Sequence, residues 1–216
     1  PVAIDQVSEY VLEGTVATED VRFYEHNGVD PQGIVRALVN NIRGGALEGA
    51  STITQQFVRN TILFEEANDI SIKRKVREMY LSMKLEEIYS KDEILLMYLN
   101  TINYGDGCYG IETAAKNYFQ KSAADLTLVE AATLVGIPQS PTYLNPKPNP
   151  DACRDRRNVV LSRMLTAGNI TQEEYDEASA QELVLDPAPP RSSDGIYAYP
   201  YFTSYVRQLL LEEYSQ

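Results

Sequence analysis

"SIKRKVREMYLSMKLEEIYSKDEILLMYLN", residues 71–100, decides the fold class. Ile72, Val76, Met79 and Met83 recur at helical spacing, which predicts a helix from Ser71 to Tyr89. Ser90 reads as the cap of the next helix, with Glu93 three residues on in capping-box register. Ile94, Leu95, Tyr98 and Leu99 supply its packing face.

The chain keeps the same pattern outward from this pair. Ser8 to Thr18 is a short amphipathic segment through Val7, Tyr10, Val11 and Gly14. Gly33 to Arg43 places Ile34, Leu38 and Ile42 on one stripe, widened by Val35 and Val39. Gly44 and Gly45 stop that helix, and Ala46 to Gly49 reads as a mobile loop. Ser51 or Thr52 caps a helix that carries Ile53, Phe57 and Val58 inward, with Gln55 in capping-box register to Thr52. Ile111 to Tyr118, Leu126 to Ile137 and Asp151 to Gly168 are further helices, and "PQSPTYLNPKPNP" is a proline-braced connection. Strand alternation shows only weakly near "ELVLDP". The expected fold is therefore mainly α. Past Asp186 the composition changes: "DPAPPRSSDG" reads as a linker. "YAYPYFTSYVRQLLLEEYSQ" then starts a new apolar element. Residues 1–186 form the expected domain, and 187–216 the linker and junction.

At 216 residues the chain can bury a sizeable core. Its formal net charge of −12 argues against a nucleic-acid partner. Any anionic ligand must be met by a local concentration of Lys and Arg. No apolar run approaches the roughly 18–20 residues that span a bilayer, and no signal peptide is evident. The sequence begins at Pro1 without an initiator methionine, which leaves room for an upstream membrane anchor. Cys108 and Cys153, with a single histidine, cannot build a Cys/His zinc site. Two free, half-buried thiols are expected in preference to a disulfide.

Two clusters carry chemistry. In "KRKVRE", Arg74, Lys75 and Glu78 share one helical face, with Lys73 and Arg77 at its flanks. In so acidic a chain this is a local inversion of sign. It reads either as a solvated face tied by i,i+4 pairs or as a clamp for a phosphate or diphosphate beside a carboxylate. In "GASTITQQFVRN", Ser51, Thr52, Gln55, Gln56, Arg59 and Asn60 stack polar groups along consecutive turns, which suits sugar or amide recognition or a polar packing surface. A third stretch, "ATEDVRFYEHNG", sets Glu19 and Asp20 beside Phe23, Tyr24 and the single histidine, His26. Taken alone it reads equally as an acid/base site or a charged turn.

"EDVRFYEHNG", "GASTITQQFVRN", "RKVREMYLSMKLEEIYSKDEILLMYLN" and "GCYGIETAAKNYF" stand in the order of the motifs of family-51 glycosyltransferases, and the chain resembles that family from about residue 8 to 170. These are the peptidoglycan glycosyltransferase domains of class A penicillin-binding proteins and their monofunctional relatives. The resemblance implies a lysozyme-like glycosyltransferase fold, with a large helical lobe and a smaller membrane-proximal lobe. It implies that lipid II is polymerised onto a growing β1,4-linked glycan chain, with inversion and release of undecaprenyl diphosphate. Glu19 falls where the family has its general base, and Glu78 where it has a second glutamate. Asp20, Phe23, His26, Ser51, Thr52, Gln55, Gln56, Arg59, Asn60, Arg74 and Lys75 fall in the motifs that line the substrate site.

A sugar hydroxyl needs a base to take its proton. A diphosphate leaving group needs charge neutralisation more than protonation. That division explains a carboxylate and a cationic cluster on one helix. Asp20 is either an orienting partner or a structural group, and His26 is read as a structural hydrogen-bonder in preference to a third titrating group. Where the family usually has Gly and Lys in its second motif, this chain has Ala50 and Arg59. The acidic "FEEANDI" occupies a region where relatives often carry another cation. No cofactor is required on this reading, and a divalent cation, Mg2+ or Mn2+, assists at most. The expected partners are lipid II, the glycan chain and the bacterial membrane surface. The expected location is the outer face of the cytoplasmic membrane, with an N-terminal anchor and a C-terminal transpeptidase domain outside these residues.

Overall fold

The computed structural model describes residues 1–42, 49–66 and 69–187, without the side chains of residues 41 and 42. The expected Gly44–Gly45 stop, most of the loop after it and the junction past 187 lie outside the described residues, as do the side chain of Ile42 and the middle of "FEEANDI". Among the described residues stand α1 (Glu9–Glu19), α2 (Pro31–Ile42), α3 (Ile53–Thr61), α4 (Ile72–Glu86), α5 (Lys91–Thr101), α6 (Ile111–Phe119), α7 (Leu128–Gly136), α8 (Pro150–Ala167) and α9 (Gln172–Ala180). The fold is mainly α. Among the described residues "ELVLDP" belongs to no strand, and one isolated bridge joins Asn103 and Tyr109.

The capping box of α3 forms as its spacing requires. Thr52 Oγ1 accepts from the Gln55 amide at 3.1 Å, and Gln55 Oε1 accepts from the Thr52 amide at 3.0 Å. Ser90 and Glu93 close the same box on α5. At α9, Thr171 and Glu174 do so as well, on a helix that the apolar pattern does not announce.

The helices fall into two groups. α1, α7 and α8 pack mutually, with α9 against α8 and α6 against α7. α3 packs on both α4 and α5, and α5 reaches α6. Arg157 of α8 is wholly buried and donates to the Ser179 and Gln181 carbonyls at 3.1 and 2.9 Å, fastening the end of α9. Cys108 and Cys153 form no disulfide with each other, and at 0% and 1% exposure they are core residues rather than half-buried thiols.

Two helices turn apolar residues outward. On α2, Ile34, Val35, Leu38 and Val39 are exposed while Ala37 is buried. On α4 the apolar stripe that defines the helix in the sequence is its outer face: Ile72 is 83% and Val76 59% exposed, while Glu78 and Ser82 are at 0%. The inner face of α4 is polar because two features press on it. Glu78 is enclosed by its own cations. The loop after α1 lies directly on Ser82 through Gly28, whose φ is +81° and whose missing Cβ would sit 2.6 Å from the Ser82 carbonyl.

Candidate active site

Glu19 is the last residue of α1 and opens on a cavity of about 650 Å³ between the two helix groups. Its carboxylate is held from two sides. Gln56 Nε2 of α3 donates to Oε2 at 2.8 Å, and Arg156 Nη2 of α8 stands 3.6 Å from Oε1. The Gln56 amide is itself oriented, because the Tyr98 hydroxyl donates to its Oε1 at 3.3 Å. Burial, and next the charge of Glu19, push the Tyr98 hydroxyl well above its ordinary pKa, so it remains a donor.

Four arginines line this cavity: Arg36, Arg59, Arg156 and Arg163. Arg163 also donates to the Thr18 carbonyl, which pins it beside the end of α1. Burial pulls the Arg156 guanidinium below the usual arginine value and Arg163 adds to that, while Glu19 opposes both. An arginine stays protonated under such a shift. An acidic chain thus gathers four arginines in a chamber whose wall also carries Glu19, Asp20 and Asp30. Arg156 and Arg163 were not among the residues expected from sequence. They stand seven apart on α8, two turns along one face, and that spacing was the available signal.

The second cluster forms as its spacing predicts. Arg74 Nη1 donates to Glu78 Oε2 at 2.6 Å, and Lys75 Nζ donates to Glu78 Oε1. Lys75 Nζ also donates to Ser51 Oγ at 3.0 Å, and Ser51 lies on the cavity wall. Glu78 itself is fully buried and does not line the cavity. It reaches the chamber only through Lys75. Lys73 is exposed, and Arg77 points outward to Glu66 at 2.6 Å. The acidic segment before α4 is therefore engaged on that helix. Asp69 takes the Ser71 hydroxyl at 2.7 Å, and its carbonyl accepts from Arg74 Nε.

The remaining expected residues divide. Gln55 is consumed by the cap, and Thr52 Oγ1 also donates to the Gly28 carbonyl at 2.7 Å. Asn60 is exposed and away from the cavity wall. Phe23 has no exposed surface, so its ring belongs to the packing beneath the site. It meets Tyr24 and His26 edge-on, with Lys91 Nζ 4.5 Å above it. His26 Nε2 donates to Asp20 at 2.9 Å, and Asp20 Oδ2 also accepts the Ile53 amide at 3.1 Å, the first of α3. Asp20 and His26 thus form a bracket between α1 and α3.

The transglycosylase family pattern matches residues 1–165. The chain belongs to the transglycosylase family. Its span takes in all four chamber arginines, Arg163 included. The domain is 42% identical, over its whole length, to penicillin-binding protein 1A of Escherichia coli K12, of which it covers 25%. It is 50% identical over 82% of its length to penicillin-binding protein 1A/1B of Bacillus subtilis 168, of which it covers 19%. The chain thus spans a quarter or less of these relatives. A crystal structure of penicillin-binding protein 1A from Haemophilus influenzae matches the whole domain with a TM-score of 0.57 at 27% identity, over 22% of that chain. This transglycosylase domain is a glycosyltransferase by family.

Proposed function

We propose that this domain polymerises lipid II into β1,4-linked glycan with inversion at the anomeric carbon. The observation that carries the reading is Glu19, clamped by Gln56 and Arg156 at the mouth of a chamber lined by four arginines. In this reaction the acceptor 4-hydroxyl attacks the anomeric carbon of the donor, and its proton passes to Glu19. As the new O4–C1 bond forms, the C1–oxygen bond to the diphosphate breaks on the opposite face. The electron pair leaves with undecaprenyl diphosphate. Fixed arginines and Lys75 neutralise that developing charge, with no reorganisation at the moment of transfer. Glu78 acts through Lys75, which it holds toward Ser51 on the wall. A divalent cation, Mg2+ or Mn2+, would add to this neutralisation at most, which a chelator titration measures.

The substrate remains anchored by a polyprenyl chain, so the chamber must work at a bilayer surface. The outward Ile34, Val35, Leu38 and Val39 of α2 supply an apolar face for that contact, at the outer leaflet of the bacterial cytoplasmic membrane. Among the described residues no helix is long and apolar enough to cross a membrane. On this reading the whole protein adds an N-terminal anchor, and after the junction a transpeptidase domain, in keeping with the penicillin-binding names of its relatives.

The test is lipid II turnover by the wild type and by Glu19→Gln. The amide keeps the shape and the Gln56 contact but cannot take a proton. A loss of about 10²–10⁴ in rate with an unchanged melting curve is expected. Near-normal polymerisation by Glu19→Gln would remove Glu19 from the mechanism. Consumption of finished glycan but not of lipid II would make the domain a hydrolytic relative instead.

A further inference from the structure

Lys91 and Glu86 take no part in the chamber, yet both charges stand against their own helices. Glu86 is the last residue of α4, where the helix dipole disfavours an anion. Lys91 is the first residue of α5, where it disfavours a cation. Both side chains are largely removed from water, at 4% and 20% exposure, so neither is a solvated surface charge. A local rule broken twice at one place needs a compensating gain.

The contacts of these two residues close a ring on α3. Lys91 Nζ lies 2.7 Å from Glu86 Oε2, an ionic contact rather than an aligned hydrogen bond. It also lies 3.5 Å from His26 Nδ1. His26 Nε2 meets Asp20, and Asp20 accepts the Ile53 amide. From the other direction, Glu86 Oε1 accepts the Thr54 hydroxyl at 2.5 Å. The ring therefore begins and ends on neighbouring residues of the first turn of α3, and Gln56 stands in the next turn with its amide on Glu19. Asp20 is the residue after Glu19, so the same ring also fixes the end of α1.

We infer that Lys91 and Glu86 are positioning residues for Glu19. They hold the His26–Asp20 bracket and the first turn of α3 so that Gln56 meets the carboxylate. The inference rests on the proposed role of Glu19 as base. The ring sets the tautomer of His26: Nε2 carries the proton given to Asp20, and the Nδ1 lone pair faces the Lys91 ammonium. Shifting a catalytic group by a fraction of an ångström is enough to cost rate without costing the fold.

Two measurements test this. The chain has one histidine, so a long-range 1H–15N spectrum contains a single imidazole. Wild type is expected to show the proton on Nε2, and Lys91→Met to move the Nδ1 signal. An unmoved signal overturns the ring, whatever the reaction proves to be. In steady-state polymerisation of lipid II, Lys91→Met and Glu86→Gln are expected to lower kcat about 10–100-fold, with KM near wild type. The loss should shrink in a Gln56→Leu background, where the link to Glu19 is already cut. Lys91→Cys treated with 2-bromoethylamine rebuilds an ammonium at nearly the same reach and should recover kcat. The buried Cys108 and Cys153 are spared that reagent. Wild-type kcat in folded Lys91→Met, or failure of the rebuilt ammonium to restore it, overturns the inference. A wild type that does not polymerise lipid II counts against the proposed function alone, since the imidazole spectrum is read without substrate.

Discussion

Paired substitution of Val35→Ser and Leu38→Gln separates a membrane face from a core face on α2. Val35 is 61% and Leu38 58% exposed, so more than half of each side chain is already in water. Full burial of such a side chain is worth about 1.5–3 kcal/mol, and the exposed share of each therefore about 0.9–1.8. If that share enters the bilayer interface, the pair loses about 1.8–3.6 kcal/mol of binding, or roughly 20- to 400-fold in vesicle partitioning. Folding should hardly register the change. Surface substitutions usually stay within about 0.5 kcal/mol each, and 1 kcal/mol moves the melting midpoint of a domain this size by about 2–4 °C. Flotation with zwitterionic vesicles is the appropriate assay, because a net charge of −12 would confuse binding to anionic lipid. Unchanged flotation refutes the interfacial assignment. So does early melting, since removal of a packed aliphatic costs about 2–5 kcal/mol per site.

Lys75→Ala should raise KM for diphosphate-bearing donors about 10- to 100-fold while leaving binding of a soluble disaccharide alone; equal losses for both ligands would make the cation structural. Arg157→Met should leave the Ser179 and Gln181 carbonyls without a donor, at about 1–3 kcal/mol each. Its melting midpoint should fall roughly 5–20 °C, with hydrogen exchange in α9 accelerating first; protection of α9 equal to wild type would count against the clasp. Thiol titration of the folded chain should find neither cysteine reactive at pH 8 and both after unfolding. Burial pushes the Cys153 thiol up to about 12, and the buried Tyr98 and Tyr104 hydroxyls rise too. Groups raised in the folded state stabilise it below their unfolded pKa and cease to do so as pH climbs past it. The melting midpoint should therefore drop between about pH 9 and pH 12, and a flat alkaline profile would contradict that burial.

What could be read in the sequence was what lies within one or two helical turns. The Thr52–Gln55 box and the Arg74–Lys75–Glu78 face are both local, and both form as spaced. The shared face of Arg156 and Arg163 was local too, but not what it faces: Arg156 meets Glu19, and Arg163 the Thr18 carbonyl, only after α8 packs on α1. The same limit explains α4. Periodic apolar residues establish that a helix exists, but nothing local says which face turns inward. α9 shows the converse: its acidic sequence has little apolar pattern, yet its capping box was there to read. Phe23 was expected at the substrate and instead packs beneath Lys91, a placement set by residues far along the chain.

The inverted polarity of α4 reverses the usual map of tolerated change. On most helices the oily positions are intolerant and the charged ones forgiving. Here Ile72 and Val76 should accept any residue of similar wetting character, while Glu78 and Ser82, with no water to fall back on, should accept almost none. A saturation scan of α4 read for growth would show this as two interleaved stripes half a turn out of phase with those of an ordinary surface helix.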